Sequence, residues 1–218
     1  MTQHRAKKKL NAKDLLFPLL IGTLGVVGAV VAFLAVPGFL EVEAVLLLVM
    51  AVAAAVGYNR RTIRGLVTVP FLYAATGVAA ILYEVTAPYI GAPFGDFREI
   101  EPPRDIKALS FFVLMLVMWI ALEGVSRALF KDMSLPKIGM LDNLGGVLVH
   151  LLLGLLIAAL IFNAIGYSQQ WRGGVSEAKL APLFLRTIDT WYQLQSIWFG
   201  RTPRLYTGAL ALAEKLGE

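Results

Sequence analysis

The 218-residue sequence contains no cysteine and only two histidines, His4 and His150. The absence of cysteine excludes disulfide bonds, cysteine-ligated zinc, iron–sulfur clusters and thiol catalysis. Two histidines are also too few for a histidine-rich metal site, and we predict no metal. Charged residues make up only 16% of the chain, against about 25% in an ordinary soluble domain. No nucleophile motif and no phosphate-binding loop is present, so we expect no enzyme activity.

Apolar residues are in excess, at 58% of the chain with a mean hydropathy of +0.70. They are gathered in long uncharged runs, and a bilayer core about 30 Å thick requires about 20 such residues in a helix. The first run is too long for a secretory signal peptide and predicts an uncleaved membrane anchor. The sequence therefore predicts an all-α, polytopic membrane bundle with five transmembrane helices, at residues 15–37, 42–59, 66–88, 107–130 and 143–166.

The distribution of lysine and arginine predicts how the chain is oriented. Residues 1–14 carry five basic side chains, the turn after the second predicted helix carries Arg60, Arg61 and Arg64, and residues 127–143 carry three more. The intervening segments are acidic or balanced. Because basic residues accumulate in cytoplasmic loops, we expect a cytoplasmic N-terminus (residues 1–14) and an extracytoplasmic tail (residues 167–218). The net charge of +5 then indicates contact with membrane lipids and not with nucleic acid.

The tail contains an apolar stripe with three- and four-residue spacing. This pattern predicts an amphipathic helix over about residues 177–199. We expect the stripe to lie in the outer membrane–water interface, with packing on a partner protein as the open alternative. Its members are Leu180, Leu183, Phe184, Ile188, Trp191, Leu194, Ile197 and Trp198.

Small residues predict close helix packing, because lipid provides no hydrophobic drive for helices to associate. Gly22, Gly25 and Gly28 recur along the first helix, and Gly146 and Gly154 along the fifth. We interpret both stripes as helix-packing faces. A pore lined by small residues is the alternative.

Several polar residues lie in or next to the predicted spans. Glu123 and Arg127 are four residues apart, so they can form an ion pair on one helix face; a proton or ion path is the alternative. Asp142 stands where an N-cap of the fifth helix is expected. His150 lies about 12 Å further along that helix. It can be a packed, hydrogen-bonded side chain, a ligand of haem or a chlorophyll-type pigment, or part of a transport site.

The fifth helix also carries a family resemblance. It opens with Asp142 and then has Gly146, His150 and Gly154 at four-residue steps. Together with the turn at Gly57–Gly65, this stretch resembles the colicin V production protein (CvpA) family of bacterial membrane proteins, over about residues 42–200. The resemblance implies a four-helix core at 42–166, to which the helix at 15–37 is an addition. It also implies the bacterial inner (plasma) membrane and a role in envelope homeostasis or secretion.

We therefore predict a non-enzymatic scaffold that docks other membrane protein subunits through its outer tail and its small-residue helix faces. One alternative is an accessory subunit of a respiratory or photosynthetic complex, holding a pigment through His150. A second alternative is a small channel or transporter. We predict no cofactor for the scaffold.

Overall fold

The computed structural model describes residues 12–95, 97, 101–129, 139–168, 175 and 177–200. Most of the basic N-terminal segment and residues 201–218 of the tail lie outside the described residues. Within the described ranges the chain is helical and contains no strand, which confirms the predicted all-α class. The helices are α1 (Ala12–Ala35), α2 (Glu41–Ile90), α3 (Arg104–Leu129), α4 (Gly139–Tyr167) and α5 (Ala181–Phe199), with a short 3-10 turn at Ala92–Phe94.

Helix α2 is too long to cross a bilayer once. Its 50 residues would extend about 75 Å as a straight helix, more than twice the thickness of the hydrocarbon core. The helix is interrupted at Arg61, whose φ of 63° and ψ of 169° are not helical. The two halves, 41–60 and 62–90, correspond to the second and third predicted spans.

Contacts along α4 show that the chain reverses at Arg61. In the first half, Gly57 lies against Gly146 and Met50 against Gly154, so this half runs antiparallel to α4.

The second half runs in the opposite direction. It begins with Thr62 bonded to Asp142 near the start of α4. At its far end, Gly91 contacts Ile106 in the first turn of α3, where Arg104 lies over the ring of Tyr167 at the end of α4.

Among the described residues, four helices are long and apolar enough to cross a membrane, namely α1, α2, α3 and α4. Because α2 reverses at its midpoint, these four helices supply the five predicted spans. Helix α4 is the central helix and lies against α2, α3 and α5. Its inward face carries much of the buried core, including Leu153, Leu156, Ala158, Ala159, Leu160 and Phe162.

One end of the bundle brings together Arg60, Arg61, Arg64 and Arg127, and we call it the arginine end. Arg60 and Arg127 both pair with Glu123 there, although they belong to different helices. The start of α1 reaches the same end, where the rings of Phe17 and Tyr58 stack with centroids 5.5 Å apart. Of the predicted basic segments, the structure describes Arg60, Arg61, Arg64 and Arg127, which share this end, whereas most of residues 1–14 and both Lys131 and Lys137 lie outside the described residues. Which side of the membrane this end faces stays a prediction.

Helix α5 folds back onto the other helices, and its apolar stripe faces them. Phe184 packs on Phe162 of α4 with ring centroids 5.2 Å apart, and Trp191 Nε1 donates a hydrogen bond to Thr76 Oγ1 of α2 at 3.1 Å. The sequence suggested that lipid or another protein would cover this stripe, but the same chain covers most of it. Among the stripe residues whose side chains the structure describes, Leu183, Leu194 and Ile197 stay exposed, and the side chain of Trp198 lies outside the described part.

Candidate functional site

The reversal of α2 forms a polar site between two helices. We call it the Arg61 junction, and it consists of Gly57, Arg61, Thr62, Asp142 and Gly146. Asp142 is only 2% exposed. Its Oδ1 accepts a hydrogen bond from the backbone N–H of Thr62 at 3.0 Å, and its backbone carbonyl accepts one from Thr62 Oγ1 at 2.8 Å. Arg61 Nε lies 4.0 Å from Asp142 Oδ2.

These bonds correct the predicted role of Asp142. The sequence suggested that Asp142 is the N-cap of its own helix, but α4 begins three residues earlier, at Gly139. The carboxylate instead caps the second half of α2 by accepting from Thr62. The first N–H groups of a helix have no partner within that helix. In an apolar environment a neighbouring helix has to supply the acceptor.

The backbone of Arg61 is strained. Its φ and ψ fall in a region that is almost reserved for glycine, and such a conformation costs of order 1–3 kcal/mol. It persists only where the surroundings enforce it. Here the ion pair of its own side chain and the two bonds of Thr62 hold the residue to Asp142. The arginine-rich turn gave no sign of this conformation, since a charged residue at a loop suggests only exposure.

Glycines allow the two helix backbones to touch at the junction. A Cβ atom added at Gly57 would overlap the carbonyl oxygen of Gly146, and one added at Gly146 would overlap that of Gly57. A Cβ at Gly146 would also lie 2.7 Å from the Cα of Arg61. Further along α4, a Cβ at Gly154 would lie 2.8 Å from the Cβ of Ala53. Gly146 and Gly154 are therefore placed at the contact between α4 and the first half of α2.

His150 lies directly behind the junction and is 5% exposed. Its Nδ1 lies 2.9 Å from the carbonyl oxygen of Gly146, so the ring donates this bond. Within the described part of the chain, Nε2 has no hydrogen-bond partner. Cβ atoms added at Gly57 and Gly65 would lie 2.6 Å and 2.9 Å from atoms of His150. Both halves of α2 therefore pack closely against this side chain. Whether His150 binds a haem or a chlorophyll-type pigment stays an open alternative.

Glu123 joins α3 to α2 at the arginine end. Its Oε1 accepts a hydrogen bond from Arg60 Nη1 at 3.3 Å and lies 3.5 Å from Arg127 Nε. Its Oε2 accepts a bond from Thr68 Oγ1 at 3.4 Å. The spacing of Glu123 and Arg127 indicated their pairing, but nothing in the sequence indicated Arg60 and Thr68, because these contacts depend on how α2 packs.

The glycines of α1 divide into two groups. A Cβ at Gly22 would lie 3.7 Å from the Cβ of Ala55, and one at Gly25 would overlap Ala51. Both positions therefore lie at the contact with α2. A Cβ at Gly28 would have no atom of the described residues within 4 Å. The role of Gly28 in helix packing therefore stays a prediction, with no contact to α2 behind it.

A third buried carboxylate lies at the opposite end of the bundle. Glu43 is fully buried, and its Oε2 accepts a hydrogen bond from the backbone N–H of Leu40 at 2.9 Å. Its Oε1 accepts another from the backbone N–H of Leu180, just before α5, at 2.6 Å. Close by, Lys179 Nζ donates to the carbonyl oxygen of Pro37. The sequence identified Glu43 only as one of the acidic residues of a loop.

Comparison with known proteins identifies the family. The family model described as "Colicin V production protein" matches residues 42–189. No curated protein and no solved structure matches the chain. The matched region begins after α1 and includes both halves of α2, α3, α4, part of α5 and the whole Arg61 junction. Since this region is more than half of the sequence, the chain belongs to the colicin V production protein family.

Proposed function

We propose that this chain is a non-enzymatic scaffold in the bacterial inner membrane, with a cytoplasmic N-terminus and an extracytoplasmic C-terminus. Its role would be in envelope homeostasis or a secretion-related process. The observation that supports this proposal most directly is that polar groups inside the bundle form hydrogen bonds between helices. Asp142, Thr62, Glu123 and Thr68 bond across helices to groups of the same chain. Such bonds lock a bundle in one arrangement, which suits a protein whose task is to hold others in place.

The structure changes which surface such a scaffold has available. The sequence suggested docking through the tail stripe and the small-residue faces. Most of the stripe now packs on α2 and α4, and Gly25, Gly57 and Gly146 lie inside the chain. The proposal therefore places contact with other membrane proteins on the exposed edge of α5, which presents Leu183, Leu194 and Ile197.

Site-specific photo-crosslinking in native membranes tests this proposal. A photoreactive amino acid at Ile197, which is 76% exposed, is expected to give adducts with other membrane proteins. The matched control places the same group at Phe184, which is fully buried on the same helix and should give only intramolecular products. If neither Ile197 nor Leu194 yields an adduct with another protein, the scaffold proposal fails.

A small transporter is the second candidate, and two buried groups favour it. His150 Nε2 is buried without a hydrogen-bond partner among the described residues, and the Glu123 carboxylate lies in the same part of the bundle. Ion flux through liposomes that contain only the purified chain distinguishes the candidates. Flux that is lost in the Glu123→Gln variant would favour transport and contradict the scaffold. We expect no flux above that of empty liposomes.

A further inference from the structure

At the arginine end, the positively charged side chains are more exposed than the negatively charged side chains that pair with them. The side chains of Arg60, Arg61 and Arg127 are 31%, 43% and 56% exposed. The carboxylates that pair with them lie beneath, since the side chains of Glu123 and Asp142 are 11% and 1% exposed. Among these paired side chains, the guanidinium groups are therefore the more exposed and the carboxylates the more buried.

The buried carboxylates also hold the guanidinium groups in position. A single oxygen, Glu123 Oε1, lies within 3.5 Å of nitrogen atoms of both Arg60 and Arg127. Arginine has five N–H donors in a planar fork. One contact to Glu123 occupies only a minority of them, and the remaining donors are available on the exposed side. Groups held in this way bind a ligand with little further loss of conformational freedom.

The position of these arginines indicates which ligand they would meet. Arg60 and Arg61 stand at the reversal of α2, and Arg127 lies in the last turn of α3. Arginine at the end of a membrane-spanning helix extends to the headgroup layer, where the lipid phosphates lie. The guanidinium fork matches phosphate oxygens with two parallel hydrogen bonds.

We propose that Arg60, Arg61 and Arg127 form a binding site for the phosphate of an anionic phospholipid headgroup. An anionic lipid is favoured over a zwitterionic one because, among the side chains that the structure describes at this end, four guanidinium groups, including that of Arg64, accompany two carboxylates. A lipid with a net negative charge neutralises part of this excess positive charge. The site does not depend on the scaffold proposal, because it involves other residues.

Native mass spectrometry of the full chain in neutral detergent measures the binding. The probes are dioleoylphosphatidylglycerol and dioleoylphosphatidylcholine, and we expect the anionic lipid to bind more tightly. Arg127→Gln is expected to weaken binding of phosphatidylglycerol about tenfold, as for loss of a charge-assisted hydrogen bond. The matched control, Arg186→Gln, removes the same charge from the exposed surface of α5 and should leave the affinity unchanged.

Two further variants separate a built site from general attraction between charges. Glu123→Gln removes a negative charge, so general attraction predicts tighter binding of the anionic lipid. The proposed site predicts weaker binding, because Arg60 and Arg127 lose the group that positions them. Arg127→Lys keeps the charge but removes the fork, so it too should weaken binding. If Glu123→Gln does not fold, as judged by circular dichroism, the affinity of Arg127→Lys alone decides between the two explanations.

Several outcomes would overturn the proposal. One is equal affinity for the two lipids, and another is unchanged affinity in Arg127→Lys. Competition with inorganic phosphate at constant ionic strength tests for a soluble ligand. If phosphate displaces the lipid at a concentration similar to that of the lipid, the site belongs to a free anion and not to the membrane.

Discussion

Helices α1 and α4 have similar hydropathy but very different positions. Their most apolar windows have mean hydropathies of 2.3 and 2.6, yet 6% of the α1 window and 44% of the α4 window are buried in the bundle. Helix α1 touches the first half of α2 through Gly22 and Gly25, and α1 lies outside the region that matches the family. Hydropathy thus indicates that a helix enters the membrane, whereas backbone contacts and buried polar bonds determine which helix is central.

Substituting one glycine in α4 and one in α1 should give the largest difference in the free energy of unfolding. Gly146→Leu places a side chain against the backbones of Gly57 and Arg61, which cannot move without opening the reversal of α2. We expect a loss of about 3 kcal/mol or more in the free energy of unfolding, at the upper end for overpacked sites. Gly28→Leu is the control in α1, where the added side chain meets open space, and its effect should be close to zero. Denaturation in detergent followed by circular dichroism measures both, and equal losses would contradict the comparison.

Removing the carboxylate of the junction should have the next largest effect. Asp142→Ala leaves the N–H of Thr62 without its acceptor and the charge of Arg61 without its ion-pair partner, which should cost about 2–3 kcal/mol. Arg61→Gly relieves the backbone strain and should recover part of this loss in the double variant. A double-mutant cycle measures the coupling of the two sites. Strictly additive effects would show that Asp142 does not enforce the conformation of Arg61.

A crosslink tests the contact between α1 and α2 directly. Because the chain has no cysteine, the pair Gly22→Cys and Ala55→Cys can be studied without background thiols. The Cβ positions are 3.7 Å apart, within the range of a disulfide bond. We expect mild oxidation to close the bond and change the mobility on a non-reducing gel. The pair Gly28→Cys and Ala55→Cys should stay reduced. The opposite result would mean that α1 packs in another register.

The sequence alone predicted the features that depend on composition and on the spacing of apolar and basic residues. The five spans, their alternating order and the amphipathic helix α5 all follow from where apolar and basic residues recur. The four-residue glycine spacing also identified Gly146 and Gly154, because only close backbone contact requires such a pattern.

Other features could not be predicted, because they depend on which helices become neighbours. Asp142 looked like a cap for its own helix, and only the packing of α2 shows that it caps Thr62. The apolar stripe of α5 looked like a membrane-facing surface, since a periodic pattern does not reveal what covers it. The φ of Arg61 is determined by tertiary bonds and has no sequence signal.

The bond between Glu43 and Leu180 joins residues that are 137 positions apart in the chain. During synthesis, Glu43 enters the membrane with α2 long before the segment preceding α5 is made. Until then, only the N–H of Leu40 is available to one of its two oxygens. The other oxygen has no such partner until Leu180 is made, and a polar group that is buried without a partner is costly. Docking of α5 therefore completes the hydrogen bonding of this carboxylate, and a chain that stops before Leu180 would leave one of its oxygens without its donor.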